Sequence, residues 1–267
     1  MSEVTGAHEQ LVATIRQRMT AVGGRFTEYR GFCVHDMGTE VADVHLRGIL
    51  VGEDPDLDQV AQVLTGLDTS LKWNLLCPAG VAEPVARAIA PAGFEPKGTP
   101  TPIMSLQSPP PAATCVDEGQ TKLTDASADR SPDSVTIVDE DSVELLGAAA
   151  STIAECFNLP RPVAQRFVDN PLWLSDRAAV AVADGGASCA LLTLAEGRGG
   201  LYYVATREDR RGEGLGSAVA AALTNLAFER GCHEVILQAS DLGEPVYRRL
   251  GYRTIGHYRR FSNRDDE

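Results

Sequence analysis

Hydrophobic and polar positions recur at regular spacing along residues 135–261 and predict ten secondary-structure elements there. Short apolar runs predict six strands, at 135–139, 177–183, 187–196, 199–206, 233–240 and 252–261. Apolar residues three and four positions apart predict four helices, at about 142–157, 161–170, 215–230 and 243–251. The predicted order is β-α-α-β-β-β-α-β-α-β, which is typical of a mixed sheet flanked by helices.

The ends of these elements carry recognisable turn and capping residues. Asp141 or Ser142 can cap the first helix, because short polar side chains accept hydrogen bonds from the free N–H groups of a first turn. Gly231 can end the third helix. Asp184 and the two glycines that follow it predict a hairpin turn between two strands.

The first part of the chain carries a fainter version of the same pattern. It predicts a strand, a helix, a strand and a helix, at 45–53, 56–67, 71–80 and 81–94. Glu-Pro-Val occurs at 83–85 and again at 244–246. A glycine followed by an aromatic residue comes later after each copy, at 93–94 and at 251–252. The shared tripeptide and the agreeing order of elements predict a degenerate internal repeat.

A segment of different composition separates the two parts. Residues 107–134 hold four prolines, many small polar residues and almost no large apolar ones. Such a segment cannot bury enough surface to offset its ordering entropy, so it is predicted to be a linker. The predicted domains are therefore 1–106 and 135–267.

Charge and cysteine content narrow the functional classes. The chain has 267 residues and a formal net charge of −13, which argues against a nucleic-acid surface of clustered Lys and Arg. Its six cysteines are scattered and predict neither a zinc site nor a disulfide framework, so we expect mostly buried free thiols. Because the chain shows no signal-peptide pattern and no apolar stretch of about 20 residues, we expect a cytoplasmic protein that does not bind membranes.

Three alternating glycines lie between a predicted strand and a predicted helix. Gly212, Gly214 and Gly216 allow a sharp turn and let a ligand approach the backbone closely. The free N–H groups of the following helix favour an anion, and Arg210 and Arg211 add positive charge beside them. The segment therefore predicts a pyrophosphate site.

Three known sequence patterns of phosphate-binding loops can be compared with this segment. A P-loop is excluded, because no lysine follows Gly216. A Rossmann loop needs Gly-x-Gly-x-x-Gly, and here the third glycine is misplaced, although Asp241 could supply the acidic residue after the next strand. The third pattern, Arg-x-x-Gly-x-Gly, fits residues 211–216 without adjustment.

With YVATREDRRGEGLGSAV at 203–219 and EPVYRRLGY at 244–252, the C-terminal half resembles the GNAT superfamily of acyl-CoA-dependent N-acetyltransferases. The resemblance implies transfer of an acetyl group from acetyl-CoA to a primary amine, without a metal. It also implies an α+β fold of two tandem GNAT-like domains, each with a mixed, mostly antiparallel sheet. The first domain lacks the loop, because its equivalent segment at 52–60 carries four acids that would repel a pyrophosphate.

The resemblance also assigns roles to residues by position. Val204, Ala205 and Thr206 would pair with the pantetheine amides, where the strands on either side of the loop splay apart. Tyr247 would act as the general acid that protonates the leaving thiolate, and Ser240 would contact the cofactor. The backbone that would hold the pyrophosphate belongs to Arg211, Gly212, Glu213, Gly214, Leu215, Gly216 and Ser217.

The general base stays open. Many family members use a carboxylate on the central strands, but this chain has Tyr202 and Tyr203 there. Because they are successive strand residues, one is expected to face the core and the other the substrate side. Asp241, His233 and His257 are candidates by location, and a relay through water needs no adjacent residue.

Two other functions are compatible with the sequence. The protein could be a sensor that binds acyl-CoA without catalysis, or an oxidoreductase with a nucleotide cofactor. The expected partner is a small-molecule or peptide amine, and the expected state is a monomer or homodimer that binds neither nucleic acid nor membranes.

Overall fold

The computed structural model of the protein describes residues 2–38, 46–110, 135–169 and 171–265. Its α-helices in these ranges are α1 (Glu3–Val22), α2 (Leu57–Thr65), α3 (Ala82–Ile89), α4 (Glu144–Cys156), α5 (Arg161–Val168), α6 (Leu215–Glu229) and α7 (Glu244–Arg249). Its strands there are β1 (Arg25–Tyr29), β2 (Phe32–Asp36), β3 (Arg47–Val51), β4 (Asn74–Pro78), β5 (Glu95–Leu106), β6 (Val135–Ile137), β7 (Ala178–Ala183), β8 (Ser188–Ala195), β9 (Arg198–Thr206), β10 (Glu234–Gln238) and β11 (Arg253–Ser262). The predicted order of the ten C-terminal elements is confirmed. The predicted linker lies mostly outside the described residues.

All the described strands belong to one sheet. Its order is β1-β2-β3-β4-β11-β5-β10-β9-β8-β7-β6. The pairs β3–β4 and β9–β10 are parallel, and the other neighbouring pairs in the described chain are antiparallel. The expected α+β fold with a mixed, mostly antiparallel sheet is confirmed, whereas the expectation of a separate sheet for each half is wrong.

The single sheet arises because each half sends its last strand into the other half. β5 follows β4 along the chain but lies between β11 and β10, and β11 lies between β4 and β5. β5 pairs with β10 from Ile103 to Leu106, and β11 pairs with β4 from Tyr258 to Ser262. The two crossing strands also pair with each other, which joins the halves at the centre of the sheet.

The N-terminal half contains four elements that its pattern did not predict, namely α1, β1, β2 and β5. The helix α1 packs across β8 and β9 of the C-terminal half, with Ala7, Leu11 and Ile15 fully buried. The strand β5 contains prolines, which argue against a strand when only the sequence is known. Both elements connect the two halves of the chain.

The ends of two C-terminal elements can be compared with the predicted turn and capping residues. Asp139 caps the turn that leads into α4, because its carboxylate accepts the N–H of Asp141 at 3.2 Å. The hydroxyl of Ser142 accepts the N–H of Asp139 at 3.0 Å, which completes a capping box. The predicted cap at Asp141 or Ser142 is therefore wrong by two or three residues. The predicted hairpin at Asp184 is confirmed between β7 and β8.

Five of the six cysteines fall in the described ranges, and each of them is a free thiol. Cys33, Cys77, Cys189 and Cys232 are buried and Cys156 is half-buried, as expected. The sixth, Cys115, lies outside those ranges. None of the helices in the described ranges combines the length and the apolarity that crossing a bilayer requires.

Candidate functional site

The strands β9 and β10 separate at the ends that lead to α6 and α7. Their parallel pairing ends at Leu201 and Leu237. Beyond that point β9 continues along β8 as far as Thr206, while β10 follows β5, where the N–H of Ala239 donates to the carbonyl of Pro102 at 3.0 Å. Within the described strands, the edge of β9 that faces β10 is therefore open after Leu201. Val204 and Ala205, which were predicted to pair with pantetheine amides, lie on this open edge.

A bulge in β9 changes the direction of the side chains at this opening. Tyr203 has a φ of +48°, and the pairing with β8 gains an extra residue on β9 just after Tyr202. Tyr202, Tyr203 and Ala205 consequently pack in the core cluster that includes α1 and α4, whereas Val204 packs on the side of α6. The expectation that Tyr202 and Tyr203 face opposite sides is wrong, because the positive φ breaks the alternation.

The three glycines of the loop serve different purposes. Gly212 and Gly214 have φ of +83° and +79°, a region that residues with a Cβ rarely adopt. Gly216 has an ordinary φ, but a Cβ there would lie 2.9 Å from the hydroxyl of Thr206. Two of the glycines therefore shape the turn, and the third lets α6 start close to the end of β9.

The first turn of α6 is open to a ligand. Gly214 is its N-cap residue, and no side chain in the described ranges caps the helix. The N–H groups of Leu215, Gly216 and Ser217 belong to this turn, where α-helices have no internal acceptors. Their positive helix end favours an anion, so the turn fits the diphosphate of coenzyme A.

The two arginines before the loop are in different environments. Arg210 forms ion pairs with Asp184 at 2.5 Å and with Glu213 at 2.6 Å, and these partners raise the pKa of its guanidinium. Arg211 is exposed and its Nε donates to the carbonyl of Thr206 at 3.4 Å. Within the described chain Arg211 makes no ion pair, so it is the arginine that can turn toward a phosphate. The ion pair between Arg210 and Glu213 instead stabilises the loop.

Tyr247 lies in α7, which follows the separated end of β10. Its ring packs edge-on against Tyr252 with centroids 5.9 Å apart. Burial raises the pKa of Tyr247, so its phenol holds its proton at neutral pH. No residue in the described part of the chain forms a hydrogen bond with its hydroxyl, whereas the hydroxyl of Tyr252 is paired with Thr224 Oγ1 at 2.7 Å. The hydroxyl of Tyr247 is therefore available to donate a proton.

The remaining predicted residues are spread over the sheet. Ser240 forms the turn into α7, where its hydroxyl accepts the N–H of Gly243 at 3.2 Å, and Asp241 is exposed beside it at the separated end of β10. His233 precedes β10 and therefore lies at the opposite end of that strand. His257 is on β11, which β5 and β10 separate from β9. Of the three candidate bases, the fold places Asp241 nearest the opening.

A buried polar network, which sequence reasoning missed, holds Tyr202 to α1. The hydroxyl of Tyr202 donates to Gln10 Oε1 at 2.7 Å, and Gln10 Nε2 donates to Thr14 Oγ1 at 3.0 Å. The guanidinium of Arg18 lies 4.5 Å from the centroid of the Tyr202 ring. Burial raises the pKa of Tyr202 to about 12, which favours its neutral form. Apolar residues four apart along α1 were the available signal for this helix, at positions 7, 11, 15 and 19.

The corresponding helix start in the N-terminal half is closed. Asp56 is the N-cap of α2, and its carboxylate accepts the N–H of Gln59 at 3.0 Å. Asp58 adds a second negative charge in the same turn. A carboxylate thus already caps the first turn of α2, whereas the first turn of α6 has no side-chain cap within the described ranges.

Comparisons with known proteins agree with this geometry. The sequence model of the Acetyltransferase (GNAT) family matches residues 103–252, a range that includes the loop and Tyr247. A GCN5-related N-acetyltransferase from Kribbella flavida is 16% identical, with a TM-score of 0.69 over 100% of this chain and 97% of that chain. Another from Sphaerobacter thermophilus is 16% identical, with a TM-score of 0.56 over 89% of this chain and 78% of that one. At such identities the likeness concerns the fold. No curated protein sequence matches the chain.

Proposed function

This chain belongs to the GNAT acetyltransferase family, and on that premise we propose that it transfers an acetyl group from acetyl-CoA to a primary amine. The observation that carries the proposal is the uncapped, glycine-lined start of α6 beside the separated ends of β9 and β10. A strand-like pantetheine and a diphosphate need these two features next to each other. The acceptor is a small-molecule or peptide amine, and the chain acts as a monomer or homodimer.

In this proposal the cofactor lies along the open edge of β9. The amides of pantetheine pair with the backbone of Val204, Ala205 and Thr206, and the diphosphate lies over the first turn of α6. Arg211 turns from Thr206 toward a phosphate oxygen. Ser240 approaches the cofactor from the β10 side. The thioester then lies deeper in the opening, toward Tyr203 and α7.

The reaction is a direct transfer. The neutral amine nitrogen attacks the thioester carbonyl, and the carbon–sulfur bond breaks as the amide forms. Tyr247 gives its proton to the departing thiolate, because its hydroxyl is protonated at neutral pH and forms no hydrogen bond with a described residue, and the phenolate then regains a proton from water. The proton lost by the amine leaves through water, and Asp241 is the nearest candidate to receive it.

We also propose that the N-terminal half is a degenerate copy of the catalytic half. Both contain a parallel strand–helix–strand unit, β3-α2-β4 and β9-α6-β10, followed by a helix with Glu-Pro-Val and a strand that crosses to the other half. In both, the parallel pairing stops early: β3 and β4 part after Leu50 and Leu76, while β4 continues along β11 to Pro78. This correspondence supports the proposed tandem arrangement with one working site.

Replacing Tyr247 with phenylalanine tests the catalytic role. We expect kcat to fall about 10²-fold, because a general acid contributes roughly that factor, while coenzyme A binding stays nearly unchanged. The assay measures free thiol released from acetyl-CoA over a panel of amines. Tyr252→Phe is the matched control, since it removes the neighbouring phenol that is bonded to Thr224.

The outcomes separate the competing functions. Equal kcat values for wild type and Tyr247→Phe would remove the acid role. Tight coenzyme A binding with no transfer to any amine would favour a non-catalytic sensor. Binding of NAD in preference to coenzyme A would favour the oxidoreductase and overturn the proposal.

A further inference from the structure

A cavity of about 480 Å³ lies in the N-terminal half, away from the loop and Tyr247. Its walls are the outer face of α1, the hairpin between β1 and β2, and the segment that follows β3. Glu196, in the turn before β9, closes one side. A cavity of this size can hold a small organic molecule.

Carboxylates dominate the charged groups around this cavity. They belong to Glu9, Glu28, Glu53, Asp54 and Glu196. Among the described residues that line the cavity, Arg16 is the one Lys or Arg side chain. Arg16 is already paired with Glu28 at 2.5 Å. The other four carboxylates have no ion pair with any residue in the described ranges, which leaves a strong excess of negative charge facing the cavity.

The carboxylates around the cavity differ in their hydrogen bonds. Glu53 accepts the hydroxyl of Ser2 at 2.6 Å and also that of Thr5, and these bonds lower the pKa of Glu53. It therefore stays ionised well below neutral pH. Glu9 lies on α1 and Asp54 follows β3, and neither side chain has a hydrogen bond with a described residue.

A buried histidine also faces the cavity. The His8 residue is 9% exposed, and its Nδ1 lies 3.4 Å from the hydroxyl of Tyr258. Its Nε2 edge lies beside Gly52, another wall residue, and forms no hydrogen bond within the described chain. Burial lowers the pKa of His8 to about 4, so the ring is neutral and adds no positive charge. The unused ring nitrogen supplies a polar contact for a ligand.

An aromatic pair forms the wall opposite α1. The rings of Tyr29 and Phe32 are stacked, with centroids 4.6 Å apart and planes 7° from parallel. Val12 and Ala13 add apolar surface on the helix side. Aromatic faces attract cations as well as apolar groups, so they suit a ligand that has both.

From the volume of the cavity, the excess carboxylates, the unused His8 nitrogen and the aromatic wall, we propose that this cavity binds an organic cation. The class is a small molecule with one or more ammonium groups on an apolar body. The site is separate from the proposed acetyltransfer site, because Glu196 precedes β9 and the pyrophosphate loop follows its far end. Nine strand residues at about 3.3 Å each place those ends roughly 26 Å apart.

Titration calorimetry on the full chain tests this proposal with two amine probes, spermidine and phenethylamine. The neutral analogue 2-phenylethanol is the ligand control. We expect both amines to bind and the alcohol to bind at least about tenfold more weakly, because several carboxylates together attract an ammonium and do not attract an uncharged hydroxyl in its place. Absence of binding by both amines, or equal binding of phenethylamine and its alcohol, overturns the proposal.

Variants separate the cavity from general surface attraction. Glu9→Gln with Asp54→Asn removes two exposed, unpaired charges and should weaken spermidine at least about tenfold. Ala13→Phe keeps the charge but fills the cavity, and it should abolish phenethylamine binding. Asp58→Asn, which removes another exposed acid outside the cavity, is the matched control and should change affinity less than about twofold.

Thermal melting of each variant checks that it remains folded. Unchanged binding in Ala13→Phe, or an equal loss in the double variant and in Asp58→Asn, would show mere counterion attraction and refute the cavity as the site. The readout is binding, so it is independent of acetyl transfer. A failure here leaves the proposed enzymatic function standing, and loss of that function leaves this test unaffected.

Discussion

Replacing Gly214, which has a positive φ, can show whether the geometry of the loop affects cofactor binding beyond its effect on the stability of the protein. Gly214 has a φ of +79°, and a Cβ there would meet no atom within 4 Å. The cost of Gly214→Ala is therefore backbone strain alone, about 1–2 kcal/mol for an L-residue in the left-handed region. For a chain of this size such a loss lowers Tm by about 2–8 °C.

The same substitution should also weaken coenzyme A binding. The alanine relieves its strain by moving toward ordinary helical angles, which turns the N–H groups of the first turn of α6 away from the diphosphate. Since several backbone hydrogen bonds to a charged group are affected, we expect the Kd for coenzyme A to rise about tenfold or more. Calorimetric titration gives the affinity, and a thermal melt of the same sample gives Tm.

Gly93 provides a matched control in the other half. Its φ is +78°, and a Cβ there also meets nothing within 4 Å. Gly93→Ala should lower Tm by a similar amount and leave the Kd for coenzyme A within about twofold. If both variants bind coenzyme A equally well, the idea that the turn at Gly214 aims the N–H groups at the cofactor is refuted.

Two further predictions follow from the side chains around the opening. Arg211→Gln should raise the KM for acetyl-CoA several-fold, and more at low salt. Arg210→Gln should lower Tm and leave that KM within about twofold, because Arg210 is bound to Asp184 and Glu213. Equal effects of the two variants on KM would contradict these separate roles. Tyr202→Phe should destabilise the chain by about 1–3 kcal/mol in urea unfolding, since it leaves the buried Gln10 Oε1 without its donor; an unchanged midpoint would show that the network adds no stability.

Local signals made the C-terminal half predictable. The order of its ten elements follows from period and turn residues, and the loop at 211–217 follows from glycines beside a strand end. Sequence could not separate the roles of those glycines. The distinction depends on positive φ at Gly212 and Gly214 and on the contact between Gly216 and Thr206, which appear only when β9 and α6 are in place.

The elements that sequence reasoning missed are those that depend on distant partners. The strand β5 carries prolines and is a strand because β10 and β11 enclose it. The bulge at Tyr203 reverses the expected side of one tyrosine through a single φ angle. In the same way, the acidic cavity combines residues from α1, β2, the end of β3 and the turn before β9, so no local spacing could reveal it.

The crossing of β5 and β11 has a consequence for the order in which the chain can fold. Until residues 253–262 have been synthesised, β4 and β5 each present an unpaired edge to solvent. During translation these two edges are open to other nascent chains, and pairing with them would produce intertwined aggregates. The contact that closes both edges spans most of the sequence, so it forms late and slowly. The crossing that completes the sheet thus leaves two strand edges exposed to aggregation until β11 is in place.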